Sequence, residues 1–152
     1  MWLVPVESVW WSSSSSDDVI DLLHVTYETT ANVSLSEGET RQLTCHSHGA
    51  YPRPDVDVYL GNEDITHQFT RSDKLVKVEG VAGLHPIYYD VELSSRRMNI
   101  EYRFDGKWLR CRARLPGIQD NKAAVLHIRI RECEYSFIWW IILLIWFVIW
   151  LI

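Results

Sequence analysis

The middle of the chain, from Val19 to Arg131, constrains the fold most, because short apolar runs alternate there with clusters of Gly, Pro, Asn and Asp. Within the runs, β-branched and aromatic residues alternate with polar ones, a period of two that is typical of half-buried strands. No long stretch outside the C-terminal tail has the helical period. The pattern predicts an all-β sandwich or barrel with strands at Leu23–Tyr27, Asn32–Leu35, Thr40–Ser47, Asp55–Leu60, Ile65–Phe69, Leu75–Glu79, Ile87–Leu93, Asn99–Phe104, Lys107–Arg114 and Ala124–Ile130.

The last sixteen residues, 137–152, form an apolar tail without charge, Gly or Pro. As a helix the tail would rise about 24 Å, slightly less than the hydrocarbon core of a bilayer, which is about 30 Å thick. A core helix of a small domain would carry a polar stripe, and this tail has none. We predict a membrane helix here, preceded by a juxtamembrane segment, 132–136. The alternative is a lipid-anchor signal that is cleaved off.

The N-terminal segment, 1–22, is apolar at first but lacks the basic residues that begin a secretory signal. It continues into five serines, Ser12–Ser16, a composition typical of a flexible linker. We therefore expect an atypical signal followed by a linker, and a single folded domain at 23–131.

Two cysteines, Cys45 and Cys111, lie in the middle of predicted strands at apolar-patterned positions. A bridge between them would close a long loop and stabilise the domain by about 4 kcal/mol in the chain-entropy model. Two free thiols buried in the core would fit the same pattern. The residues alone leave both alternatives open.

Four segments of the middle region resemble the immunoglobulin superfamily, most closely the constant-like domains of cell-surface adhesion proteins and receptors: Leu43–Cys45, Tyr51–Pro54, Val58–Gly61 and Asp105–Ala113. The resemblance covers Val25 to Arg131, roughly the length of one such domain. It implies an immunoglobulin-like β-sandwich of two antiparallel sheets, with a disulfide between Cys45 and Cys111 that ties the sheets together.

Two hallmarks of the family are replaced in this sequence. Val58 stands where a core Trp is usual, and Leu109 stands where a corner Tyr is usual. Trp108 is displaced by one position and should point away from the core. Because protein interiors are close-packed, we expect Leu43, Tyr59 or Leu109 to fill the space beside Val58.

Two further residues are candidates for covalent modification. Asn32 begins the sequon Asn-Val-Ser, which is glycosylated when a chain passes through the secretory pathway. Cys133 is the third cysteine and lies just before the apolar tail. An odd Cys in a secreted protein suggests a disulfide-linked dimer, and an unpaired or lipid-modified thiol is the alternative.

A recognition surface is predicted from aromatic and basic residues, which are enriched at interface hot spots. Tyr88 and Tyr89 lie on one predicted strand, with one ring on each of its faces. Arg110, Arg112 and Arg114 alternate along another strand and should form an outward row. The row could meet an acidic partner, or it could be a solvated face paired with acidic residues of a neighbouring strand.

Several classes of function are disfavoured. A net charge of −5 argues against a nucleic-acid binder. His46 and His48 would share a strand face, but zinc needs three or four ligands, so we predict neither a metal site nor a cofactor. The sequence contains no nucleophile elbow, metalloprotease motif or phosphate-binding loop, and we do not expect an enzyme.

The resemblance and the tail together imply a membrane-anchored recognition protein with one extracellular immunoglobulin-like domain. Such a protein would lie at the plasma membrane, as a single-pass or lipid-anchored chain. It would bind another cell-surface protein, of the same or a different kind, in adhesion or receptor–ligand binding. The alternative is a tail-anchored scaffolding module that faces the cytosol, where no disulfide would persist.

Overall fold

The computed structural model describes residues 3–15, 30–77, 87–119, 121–131 and 135–151. Within them lie ten strands, two 3₁₀ turns at Thr66–Gln68 and Tyr102–Phe104, and one helix. The elements are β1 (Ser8–Ser15), β2 (Thr30–Ser36), β3 (Thr40–Ala50), β4 (Asp55–Leu60), β5 (Glu63–Asp64), β6 (Phe69–Lys77), β7 (Ile87–Ser95), β8 (Met98–Asn99), β9 (Trp108–Arg114), β10 (Lys122–Arg131) and α1 (Tyr135–Trp150).

The strands form two sheets that face each other across the core. The first sheet has the order β1-β3-β7-β6, and β8 also pairs with β3. The second sheet has the order β2-β10-β9-β4-β5. The expectation of two wholly antiparallel sheets is wrong at one edge, because β2 and β10 pair in parallel. This register places Ala31, Val33 and Leu35 of β2 against the core and leaves the alternate side chains outside.

Two predicted strands are largely turns. Within residues 65–69, a 3₁₀ turn covers Thr66–Gln68 and β6 begins at Phe69. Thr66 closes the turn locally, because its backbone N–H and its hydroxyl both donate to the Asp64 carboxylate, at 2.9 Å and 2.6 Å. The hydroxyl bond is the larger cause of a lowered pKa at Asp64. In the segment 99–104, β8 ends at Asn99 and the second 3₁₀ turn covers Tyr102–Phe104. The predicted strand Leu23–Tyr27 lies outside the described residues.

The N-terminal segment differs most from its sequence-based expectation. Ser8–Ser15 is not a linker, because it forms β1 and pairs with β3 along its whole length, from Ser8 opposite His48 to Ser15 opposite Arg41. The physical reason is a period of two that begins before the serines: Val9 and Trp11 both point inward and are buried. The backbone pairing with β3 continues through Ser12–Ser15, so these serines also belong to the sheet.

The disulfide joins the two sheets as the resemblance implies. Cys45 of β3 and Cys111 of β9 are bonded, completely buried, and have Cα atoms 6.3 Å apart. Val58 is also completely buried and lies opposite Cys111 in the β4–β9 register, which confirms the predicted placement of β4. The domain core therefore has the predicted cross-link at its centre.

A large buried ring near the disulfide comes from an unexpected strand. Trp11 of β1 lies opposite Cys45, has 0% exposure and meets Phe69 edge to face, with ring centroids 6.1 Å apart. Leu109 is buried as expected, but Tyr59 is not a core residue, since its strand parity points it to the outer side of the sheet.

The apolar side chains from Ile138 in α1 to Leu151, just after its end, are all exposed, from 42% to 87%. The helix contains sixteen residues. In the described part of the chain, no helix combines the length and the apolar character needed to cross a membrane.

Candidate functional site

The outer face of the second sheet carries most of the candidate residues. Side chains alternate along its strands, so the residues beside Cys111 and Ala113 point outward while these two are completely buried. We use the name outer face for ten of the outward residues of the strands β2, β10, β9 and β4, which are Thr30, Asn32, Val125, His127, Trp108, Arg110, Arg112, Arg114, Asp57 and Tyr59.

Trp108 is the most exposed aromatic group on this face, with 47% exposure. It borders an open cleft of about 420 Å³ that is lined by Thr30, Gly61, Trp108, Arg110 and Val125. Gly61 follows β4, donates its N–H to the Trp108 carbonyl oxygen at 2.8 Å, and has a φ of +60°. Only glycine adopts this conformation readily, and a Cβ atom at this position would have no other atom within 4 Å.

A buried carboxylate holds two of the three arginines. Asp57 is only 8% exposed, and its Oδ2 accepts hydrogen bonds from Arg112 Nη2 at 2.8 Å and from Arg114 Nη2 at 3.1 Å. The hydrogen bond that Arg112 donates to Asp57 is the largest cause of a raised pKa at Arg112. Arg112 and Arg114 are therefore paired with an acidic residue of the neighbouring strand, which is one of the two interpretations that the sequence allowed.

Arg110 is held differently from its two neighbours. Its guanidinium lies 5.3 Å from the centroid of the Tyr59 ring, and Arg112 approaches the same ring at 5.5 Å. Among the described residues, Arg110 forms no ion pair. It is therefore the cation of the row whose charge remains available to a partner, beside the exposed indole of Trp108.

Three side chains on adjacent strands cross the outer face from Trp108 to the edge strand β2. His127 lies opposite both Trp108 and Asn32 in the registers of β10 with its two neighbours. The rings of Trp108 and His127 are 4.6 Å apart and tilted by 30°. His127 Nδ1 lies 3.3 Å from Asn32 Oδ1, and because an amide oxygen only accepts, the imidazole is the donor. Asn32 itself is exposed.

No protein-family model matches the sequence, and a search of curated proteins gives no match. Among solved structures, Rst D1-D2 matches with a TM-score of 0.53 and 12% identity over 85% of this chain and 51% of that chain. The chain has the immunoglobulin fold. It spans about half the length of Rst D1-D2.

Two further immunoglobulin structures match at lower scores. The full ectodomain (Ig1-Ig3) of mouse nectin-like molecule 4 has a TM-score of 0.47 and 15% identity, over 66% of this chain and 31% of that one. The titin M10–obscurin-like 1 Ig complex has a TM-score of 0.39 and 16% identity, over 68% and 89%. The strand order provides its own description: β1-β3-β7-β6 and β10-β9-β4 correspond to the two constant-type sheets, to which β2 and β5 are added.

The two predicted tyrosines lie on the other side of the immunoglobulin domain. Tyr88 and Tyr89 belong to β7 of the first sheet, whereas the arginine row belongs to β9 of the second. Both tyrosines are half-buried: Tyr88 meets His48 edge to face at 5.0 Å, and Tyr89 stacks on Tyr51 at 6.1 Å. The five predicted residues therefore do not form one continuous surface.

The two histidines on β3 belong to a polar cluster on the first sheet. Trp10 stacks on His46 with ring centroids 5.1 Å apart, and His46 Nε2 lies 2.8 Å from the Ser12 hydroxyl. His48 Nδ1 lies 2.6 Å from Asp90 Oδ1. Within the described residues, no group of three or more His, Cys, Asp or Glu side chains is placed to hold a metal ion.

Sequence reasoning missed several members of the outer face. Asp57 and Tyr59 alternate with the buried Val56, Val58 and Leu60, so strand parity alone would have placed them beside the arginines. His127 follows by the same rule along β10. Cys133, the candidate for a disulfide between chains, lies outside the described residues.

Proposed function

We propose that this chain is a membrane-anchored recognition protein whose immunoglobulin domain binds another cell-surface protein through the outer face. The observation that carries the proposal is the exposed Trp108 beside an open cleft, next to Arg110, which forms no ion pair with any described residue. Trp and Arg are among the residues most enriched at binding hot spots. We propose no catalytic role for the domain.

The chemistry of the face indicates what kind of patch a partner would present. Trp108 and Val125 give the cleft an apolar part, whereas Thr30 adds a hydroxyl and Arg110 a positive charge to its lining. Arg112 and Arg114 are partly neutralised by Asp57 and would act through shape more than charge. A partner with an apolar projection next to an acidic side chain fits this arrangement, and complementary charge would fix its orientation.

An extracellular position is supported by the disulfide and by Asn32. Disulfides persist in oxidising compartments and are rare in the cytosol. Asn32 is exposed on an edge strand, where a glycosylating enzyme can reach it. We therefore propose the plasma membrane as the location, in preference to the cytosol-facing scaffold. A scaffold of that kind would have to fold with both core thiols reduced.

The apolar helix α1 is the proposed anchor. A helix whose exposed side chains are all apolar is stable only where another apolar medium covers it, and a bilayer provides one. Trp139 and Trp140 lie near its start and Trp150 near its end, positions that suit the two interfaces of a membrane. We propose a retained helix, with the cleaved lipid-anchor signal as its competitor.

Cys133 is the proposed link between two copies of the chain. It precedes the anchor by only a few residues, so two copies anchored side by side would bring these thiols close together. A dimer of this kind would place two recognition faces on one surface and would increase avidity for a partner on another cell.

A cell-aggregation assay with the full chain tests the proposed function. Cells that display the chain are mixed with one another and, separately, with cells that lack it, which distinguishes the two kinds of partner. Trp108→Ala should weaken adhesion by about 30-fold, the effect of a hot-spot residue. The control is Leu75→Ala, which removes an equally exposed apolar side chain from the first sheet and should change adhesion by about twofold or less. Equal effects of the two variants would contradict the proposal.

A further inference from the structure

We propose that a glycan attached to Asn32 lies across the outer face, packs on Trp108 and controls access to the cleft. The inference rests on the proposed extracellular location, because only there would the sequon be used. Attachment joins Asn32 Nδ2 to C1 of an N-acetylglucosamine, while the amide nitrogen loses a proton and the lipid-linked pyrophosphate of the sugar donor leaves.

The geometry brings the attachment point close to the indole. Asn32, His127 and Trp108 are direct neighbours on three adjacent strands, so Asn32 and Trp108 are separated by two strand spacings, about 10 Å. All three side chains lie on the outer face. The first sugars of a glycan that leaves Asn32 in the direction of β9 therefore reach the exposed indole without any movement of the strands.

The hydrogen bond between His127 and Asn32 prepares the amide for this direction. It uses the amide oxygen, at 3.3 Å, and leaves Nδ2 as the atom that carries the sugar. The amide oxygen accepts from the imidazole, and the imidazole in turn packs against Trp108. The sequon hydroxyl on Ser34 is exposed as well, so the folded strand presents the complete acceptor on its surface.

The cleft offers what a sugar needs. The face of an indole is electron-rich and attracts the weakly positive C–H groups of a pyranose ring. Thr30 and Arg110 line the same cleft and provide a hydroxyl and a guanidinium for hydrogen bonds. The cleft volume of about 420 Å³ lies within the usual range for bound small molecules, about 300–1,000 Å³.

A glycan in this position would compete with a protein partner for the same indole. The chain would then bind weakly while the glycan covers Trp108, and more strongly when the glycan is absent. The sequon thus becomes a regulator of the recognition face, in addition to any effect of the glycan on solubility.

A double-mutant cycle with the full chain in detergent micelles tests the contact. Ser34→Ala removes the glycan and keeps Asn32, whereas Ser34→Thr is the matched control that keeps the sequon. Each is combined with Trp108 or with Trp108→Ala, and the midpoint of thermal unfolding is measured. We expect Ser34→Ala to lower the midpoint by about 2–4 °C relative to Ser34→Thr when Trp108 is present, and by less than about 1 °C in the Trp108→Ala background.

Other outcomes separate this inference from the proposed function. Equal shifts in both backgrounds would overturn the contact. We also expect Ser34→Ala to raise cell adhesion by at least about twofold. If the midpoint shift depends on Trp108 but adhesion does not rise, the glycan does not control access to the cleft. Mass mapping that finds a Cys45–Cys111 bridge but an unmodified Asn32 overturns this inference alone. Free thiols together with an unmodified Asn32 overturn the proposed location too.

Discussion

Trp11 donates its indole N–H to the carbonyl oxygen of Ala124, 3.0 Å away, and so links the first strand of one sheet to the last strand of the other. The immunoglobulin fold usually has its core Trp on the strand that holds Val58 here. In this chain β1 supplies the ring from the opposite sheet, next to Cys45. The N-terminal strand is therefore part of the core.

Replacement of Trp11 tests whether β1 supplies the core Trp of this domain. Trp11→Ala should reduce the free energy of unfolding by about 3–5 kcal/mol, because it leaves a large cavity beside the disulfide. Trp10→Ala is the matched control, since Trp10 is half-buried and stacks on His46 outside the core. Denaturant unfolding of both variants measures the difference. A loss at Trp10 as large as that at Trp11 would refute the role of β1.

The seating of β1 on β3 also depends on Gly49. Its φ is +87°, and a methyl group there would lie 2.9 Å from the Glu7 Cβ atom. Gly38 has a φ of +79° with nothing near the same position. Each change to Ala should cost about 1–2 kcal/mol for the left-handed backbone, and Gly49→Ala should cost more because β1 must shift. If Gly49→Ala and Gly38→Ala have the same unfolding midpoint, β1 is not packed closely on β3 at Gly49.

The arginine row should respond unequally to truncation. Arg112→Ala leaves the buried Asp57 with one fewer donor and should lower the free energy of unfolding by about 1–3 kcal/mol. Arg114 is more exposed, with 45% side-chain exposure against 27% for Arg112, so Arg114→Ala should cost about 1 kcal/mol or less. Chemical denaturation of the two variants checks the order, and the reverse order would contradict the described network.

The disulfide should dominate the stability of the domain. Cys111→Ser should cost about 2–5 kcal/mol, a large part of the typical 5–15 kcal/mol for a domain, and should sharply reduce the amount of chain at the cell surface. Cys133→Ser is the control, because it removes a thiol outside the described sandwich. It should leave surface expression unchanged and abolish only the disulfide-linked dimer on a non-reducing gel.

Removal of the apolar tail tests the proposed anchor. Deletion of residues 137–152 should release a folded, soluble domain into the medium, because the described side chains of this tail, 138–151, lie outside the sandwich core. Retention of the truncated chain inside cells with Asn32 unmodified would favour the cytosol-facing alternative. Release of the intact chain by a phospholipase specific for lipid anchors would show that the helix is a discarded signal.

The sequence was a good guide where the pattern is local. The alternation around Cys45, Val58 and Cys111 was enough to place three strands and their buried faces, and the resemblance supplied the disulfide. Strand parity also predicts that Asp57 and Arg112 both point outward, although their pairing depends on the register of β4 with β9. The inward or outward direction of a side chain follows from residues close together in the chain.

The sequence was a poor guide where partners are distant. A run of serines resembles a linker, and only pairing with β3, more than twenty-five residues away, turns it into a strand. The burial of Trp11 likewise depends on Ala124, 113 residues away. The turns at residues 66–68 and 102–104 were missed because short apolar runs do not distinguish a strand from a 3₁₀ turn.

Gel mobility of the full chain from mammalian cells decides between the proposed extracellular domain and the cytosol-facing alternative. We expect a downward shift after N-glycosidase treatment, which Asn32→Gln abolishes, because an extracellular domain would pass through the secretory pathway. We also expect faster migration without reductant than with it for the Cys133→Ser variant, because the Cys45–Cys111 bridge keeps the chain compact. A chain that shows neither shift would have an unmodified Asn32 and free core thiols, and the proposal of an extracellular recognition domain would be wrong.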